Sequence, residues 1–190
     1  VTAGNASGIN DGAAFFVLAD AAVATAAGHK PMARLVSYAV AGVPNEIMGE
    51  GPIPASKLAL KKAGLRVDQM DVVESNEAFA AQAIAVSRGL ELDMAKTNPN
   101  GGAIALGHPI GASGARILTT LLYAMQQRGA NTGMASLCLG GGNAVSVAVA
   151  LESERVDYVD TDHRRLRVAE TVGANAIEQP VDGSRLGSYP

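Results

Sequence analysis

His108 and Cys138 are the residues of this sequence best suited to move protons near neutral pH. The histidine lies in Asn100-Gly101-Gly102-Ala103-Ile104-Ala105-Leu106-Gly107-His108-Pro109-Ile110-Gly111-Ala112-Ser113-Gly114-Ala115-Arg116. The sole cysteine follows thirty residues later and opens Cys138-Leu139-Gly140-Gly141-Gly142. Glycines on either side of the histidine let backbone come close to a bound group. Pro109 fixes φ directly after it and removes a donor. A histidine and a cysteine, each on a glycine-built loop, point to acid–base chemistry at a crowded backbone. Taken singly, each residue also has a plainer role. His108 can be a turn residue and Cys138 a small buried hydrophobe. Asn76 can be a helix cap, Met48 and Phe79 core, and Gly140–Gly142 a tight turn.

The elements that position these residues are legible in outline. Residues 3–12 are a Gly/Asn/Ser/Asp loop. Ala13–Leu18 is a short apolar run of strand length. Asp20–Ala27 reads as a short helix stopped by Gly28, and Ala33–Val40 as a strand. Gly42–Pro54 is an irregular loop around Met48. Ser56 is placed to cap a helix over Lys57–Ala63 that Gly64 ends. Met70–Glu74 is a strand, and Ser75 or Asn76 then caps a helix through Arg88. Lys96–Leu106 is loop. Ser113–Arg128 is a long helix with Ile117, Leu118, Leu121, Leu122 and Met125 in one stripe. Thr132–Leu137 and Ala144–Leu151 are strands about the Gly140–Gly142 turn, as in a hairpin. Strands alternating with helices make an α/β domain.

Composition narrows the function classes. Of 190 residues, 48% are hydrophobic and 17% charged, enough apolar content for a sizeable core. The net charge of −3 and the lack of a basic stripe before residue 155 argue against nucleic acid as partner. One cysteine allows no intramolecular disulfide and no Cys-x-x-Cys metal site, so no metal is expected. No apolar run reaches the ~18 residues of a membrane span, and the start has no secretory leader pattern. A cytoplasmic protein is the expectation, with an N-terminus that reads as a cut through a longer polypeptide.

Five ordered blocks carry a resemblance over residues 1–151. They are Asn5-Ala6-Ser7-Gly8-Ile9-Asn10-Asp11-Gly12-Ala13-Ala14, Ile47-Met48-Gly49-Glu50-Gly51-Pro52, Asn76-Glu77-Ala78-Phe79-Ala80, Gly101–Arg116 and Cys138–Gly142. In these the chain resembles the C-terminal portion of thiolases, the acyl-CoA C-acetyltransferases. The resemblance implies a thiolase-like α/β fold built from two similar halves, each a mixed five-stranded sheet with helices on both faces. Residues 1–30 would end the first half, 31–151 would form the second, and 152–190 would be a loosely attached tail with no sheet to join. It also implies reversible condensation and thiolysis between acyl-CoA and acetyl-CoA, with coenzyme A thioesters as substrates, no further cofactor, and a homo-oligomer, dimer or tetramer.

Residue by residue, the resemblance gives Cys138 the proton transfer at the α-carbon of acetyl-CoA. His108 matches the histidine that activates the nucleophilic cysteine and donates to the thioester oxygen. Asn76 matches the asparagine that orients a water in the same oxyanion hole, and the Gly140 N–H a donor of the other. Ser7 matches a serine at the pantetheine arm, while Met48 and Phe79 match walls of the acyl pocket. The chemistry needs fixed donors where charge develops and a thiolate poised near working pH. The nucleophilic cysteine's block and the coenzyme A loop of the first half have no counterpart here, so this chain alone is expected to be inactive. Asn143-Ala144-Val145 departs from the family's usual small step after Gly142.

Charge density rises from Glu154 onward. Val156–Asp160 reads as a strand and Arg164–Val172 as a helix. With Thr161–Leu166 and Ala169–Ala174 they resemble a piece of the nucleotide-binding domain of zinc-type alcohol dehydrogenases, in which Asp160 would meet the adenosine ribose. Gly140–Gly142 lies about twenty residues before Asp160, the distance of a dinucleotide fingerprint, but Val145 stands where its third glycine belongs. A non-catalytic or mis-joined fragment, and a weak nucleotide-binding module over 138–181, are the rival readings.

Overall fold

The computed structural model describes residues 1–151 together with the strands at 157–160 and 175–178. After α1 (Ala21–Ala26) come β1 (Ala33–Gly42), a 3-10 turn at Asn45–Glu50, α2 (Pro52–Ala63) and β2 (Val72–Ser75). They are followed by α3 (Ala80–Leu90), the short α4 (Ala103–Leu106), α5 (Ser113–Gln127), β3 (Thr132–Cys138) and β4 (Asn143–Leu151).

Four strands form one sheet in the order β1-β4-β3-β2. The β1–β4 and β3–β4 pairs are antiparallel and the β2–β3 pair is parallel, so the sheet is mixed. The side-chain alternation of β3 builds the layers. Ala135 and Leu137 pack with Ile117, Leu121 and Met125 of α5. Met134 packs on the other face with Leu60 of α2 and Val86 and Leu90 of α3. A strand covered on both faces is buried from Gly133 to Cys138, which is why its sequence reads as a continuous apolar run.

Several expectations are corrected. Ala13–Leu18 forms no strand, and the sheet has four strands rather than five. Phe15 is 90% exposed and Leu18 79% exposed, and the run pairs with no described strand. Ser56 does not cap α2. The helix starts at Pro52, whose missing N–H is no loss in a first turn, and Ser56 is buried one turn in. Its Oγ lies 3.2 Å from the hydroxyls of both Ser136 and Ser146, so small polar side chains seat α2 on the sheet. Neither Ser75 nor Asn76 caps α3. The Asn76 N–H donates to Ser136 O and continues the parallel ladder, and the helix starts only at Ala80. Lys96–Leu106 contains the single turn of α4.

In the tail, β5 (Asp157–Asp160) pairs in parallel with β6 (Asn175–Glu178), so it has a small sheet of its own. The helix expected over 164–172 lies outside the described residues.

Candidate active site

The site lies at the C-terminal end of the parallel pair β2–β3. Beyond β2, Asn76 is tied to β3 through Ser136 O, and Cys138 is two residues further along the same strand. The loop after α4 brings His108 to this edge. The His108 N–H donates to Gly8 O at 3.0 Å and lies 3.1 Å from Asn10 Oδ1, which ties the histidine to the N-terminal loop. Gly107 makes the approach possible. Its φ is +105°, and a Cβ there would sit 2.4 Å from Asn10 Oδ1.

The side chain of His108 is held at both nitrogens. Nε2 lies 3.4 Å from Nδ2 of Asn76, and Nδ1 meets the Ser113 hydroxyl. That hydroxyl donates onward to Pro109 O at 2.9 Å. Burial, and then the positive charge of Arg116, hold His108 below its ordinary value. The imidazole is therefore neutral at neutral pH and available as a base.

Cys138 is a buried free thiol. Burial pushes it up, and a backbone hydrogen bond only partly opposes this. On balance the described surroundings favour the thiol over the thiolate. Gly140 lies exposed in the turn that follows it. Gly142 locks that turn in place, with φ +94° and its carbonyl accepting from the Val43 N–H.

The other candidates border this edge. The turn carrying Met48 is wedged between the glycine loop and α3. At Gly51 a Cβ would come 2.8 Å from Ala144 Cβ, and at Gly49 one would come 2.8 Å from Gln82 Cγ. Met48 and Phe79, which precedes α3, are both half-buried there. Ser7 is half-buried beside Ala78, whose carbonyl accepts from both its N–H and its hydroxyl at 3.1 Å. A bridge between Ala6 and Phe79 runs alongside.

Four residues that sequence reasoning did not single out complete the arrangement: Asn10, Ser113, Glu74 and Arg116. A charged residue in the apolar run Val72-Val73-Glu74 was the available signal. Glu74 is 1% exposed, 4.0 Å from the Arg116 guanidinium. Burial raises its carboxyl to about 7; Arg116 opposes this, and Glu77 adds to it. Among the described residues no group of three or more His, Cys, Asp or Glu could hold a metal, and no helix is long and apolar enough to cross a membrane.

The profile of the thiolase C-terminal domain matches residues 29–151. This chain belongs to the thiolase family. The acetyl-CoA acetyltransferase of Allochromatium vinosum is 60% identical over 149 residues, and that of Escherichia coli K12 is 58% identical over the same length. Either alignment covers 78% of this chain but 38% of the relative, so the chain spans well under half of the thiolases it matches. The crystal structure of the Bacillus anthracis acetyl-CoA acetyltransferase superposes with a TM-score of 0.78 at 49% identity, covering 80% of this chain and 38% of that one. Human mitochondrial 3-ketoacyl-CoA thiolase in complex with CoA gives 0.74 at 45%, with coverage of 80% and 39%. The match to the thiolase profile ends at Leu151, and the dehydrogenase likeness of 155–181 rests on sequence alone.

Proposed function

We propose that this chain is the C-terminal catalytic portion of a thiolase-type acyltransferase acting on coenzyme A thioesters. The reaction is reversible: acyl-CoA and acetyl-CoA give 3-ketoacyl-CoA and CoA. The supporting observation is the convergence of His108, Asn76 and the β3 end carrying Cys138 on one sheet edge. In this reading neutral His108 takes the proton of an incoming thiol through Nε2. The Asn76 amide and the Gly140 N–H face oxygens on which negative charge develops, where fixed donors act most strongly. Cys138, a thiol at rest, delivers its proton to the α-carbon in thiolysis, and the thiolate so formed takes the α-proton back in the condensation direction. Ser7 lies along the pantetheine arm, and Met48 and Phe79 wall the acyl group. The acyl-carrying cysteine is not among these 190 residues, whose single cysteine is Cys138, and one cysteine cannot serve both roles.

The test supplies that cysteine. The chain is joined to the N-terminal portion of the Allochromatium vinosum relative, and thiolysis of acetoacetyl-CoA is measured. Turnover is expected in the chimera, with a loss of about 10²–10⁴-fold on His108→Ala, the usual weight of one acid–base group. The 190-residue chain alone should show none. A folded, inactive chimera would favour the non-catalytic fragment. A rate in the chain alone that Cys138→Ser abolishes would mean that Cys138 is the nucleophile.

The nucleotide-binding alternative loses its turn. Gly140–Gly142 joins two antiparallel strands, whereas a dinucleotide fingerprint joins a strand to a helix whose N-terminus meets the phosphates.

A further inference from the structure

Arg116 projects from the first turn of α5 beneath the His108 loop. Its Nη1 faces Oε2 of buried Glu74 at 4.0 Å, and its Nη2 donates to Oδ1 of Asn76 at 3.5 Å. Asn76 is 1% exposed and Arg116 only partly exposed, so water competes little for these groups.

We propose that Arg116 is a positioning residue that fixes the direction of the whole polar chain and thereby the tautomer of His108. The inference rests on the thiolase reading for its catalytic meaning, but not for its geometry. A guanidinium has donors and no acceptor. The end of the Asn76 amide that faces Arg116 must therefore be its oxygen. The other end, Nδ2, then faces His108 Nε2. An amide nitrogen only donates, so Nε2 must offer its lone pair and the ring proton must sit on Nδ1. Nδ1–H in turn donates to the Ser113 oxygen, and Ser113 spends its own proton on Pro109 O. Every link runs in one direction, and the direction is set at the arginine.

The consequence is a histidine whose lone pair points to the site edge before any substrate arrives. Without Arg116 the Asn76 amide can turn over. Its oxygen would then accept from a protonated Nε2, and Nδ1 would accept from the Ser113 hydroxyl instead. Pro109 O, which only accepts, favours the same direction at Ser113, but the hydroxyl can rotate away from that carbonyl, so this link supports the direction without fixing it. Asn10, which meets the His108 backbone N–H rather than the ring, does not fix it either.

The test reads ring nitrogens rather than turnover. In the 190-residue chain labelled with ¹⁵N-histidine, long-range proton–nitrogen spectra at pH 8.5 report which nitrogen of neutral His108 carries the proton. His108→Gln assigns its signals among the three histidines. The expectation is a single Nδ1–H pattern. Arg116→Met keeps much of the stem but removes the donors, and should give a mixture of tautomers or the Nε2–H form. Arg116→Lys, which keeps a charged donor, should restore the Nδ1–H pattern, a rescue that mere filling of space would not produce. If Arg116→Met does not fold, Asn76→Asp removes the amide donor and should shift the ring to Nε2–H. A pure Nδ1–H pattern in folded Arg116→Met or in Asn76→Asp overturns the proposal, as does an Nε2–H pattern in the unsubstituted chain. The acetoacetyl-CoA assay is separate, so an inactive chimera with the expected ring pattern would sink the thiolase reading and leave this one standing.

Discussion

Glu74 is the residue whose chemistry is most displaced by its surroundings. A carboxyl raised to about 7 in the folded chain, from about 4.5, binds its proton more tightly folded than unfolded. Its ionisation therefore works against the fold. The cost is absent below about pH 4.5, grows as pH rises toward 7, and is complete above that. At 1.36 kcal/mol per unit it amounts to roughly 3 kcal/mol. Urea unfolding of the parent chain and of Glu74→Gln at pH 4.5, 6 and 8 isolates this group. The stability of the parent relative to the variant should fall across that range, and a constant difference would show that Glu74 titrates normally. Cys138 gives a second test at this scale. A buried thiol held above its usual value should react with iodoacetamide at least about tenfold more slowly than free cysteine at pH 7, with the rate climbing above pH 9. Alkylation as fast as that of free cysteine would mean that the thiolate is already formed. Gly142→Ala should cost about 1–3 kcal/mol. Its φ is +94°, and the new Cβ would stand 2.2 Å from Val43 O, a backbone atom that cannot step aside.

At the scale of elements, α5 does two jobs with two faces of one helix. Ile117, Leu121 and Met125 anchor it to the sheet, while Ser113 and Arg116 one turn earlier serve the polar chain. Helix placement and site geometry are thus coupled. Leu121 is fully buried beside β3. Leu121→Ala should destabilise the domain by about 3–5 kcal/mol, the transfer of the lost atoms plus the cavity they leave, measurable as a shift in the urea midpoint. A cost under 1 kcal/mol would mean that α5 is not seated on the sheet as described. The long α5 stripe was readable from spacing alone, as was the β3–β4 hairpin from two apolar runs about a glycine turn. The start of α3 was not. Asn76 has the chemistry of a cap, but a ladder bond to Ser136 claims its backbone first. Ser56 failed as a cap for a similar reason, since its hydroxyl is spent on the sheet rather than on its own helix.

For the molecule as a whole, the run Ala13–Leu18 is the outlier. It is as apolar as the strands of the core, yet Phe15, Val17 and Leu18 face outward. Brief chymotrypsin treatment should cut there, after Phe15, Phe16 or Leu18, before it cuts within Ser113–Gln127. Initial cleavage inside α5 would show that the run is protected and that the sheet face is the weaker part.

The chain by itself determined the helical stripe of α5, the hairpin, the mixed α/β class and, through five ordered blocks, the family. These signals are local, because periodicity and motif order survive without knowledge of what packs where. Tertiary structure alone decided that the main sheet, among the described residues, has four strands rather than five, since pairing depends on where a run is placed and not on its apolar content. It also set the directions in which burial pushes these groups, Cys138 toward the thiol and His108 toward the neutral ring. And it joined Glu74, Arg116, Asn76, His108 and Ser113 into one directed chain, across a sequence separation of 42 residues between Glu74 and Arg116. No spacing rule spans that gap. A strand end, a loop and a helix start meet there only because the sheet holds α5 against β2.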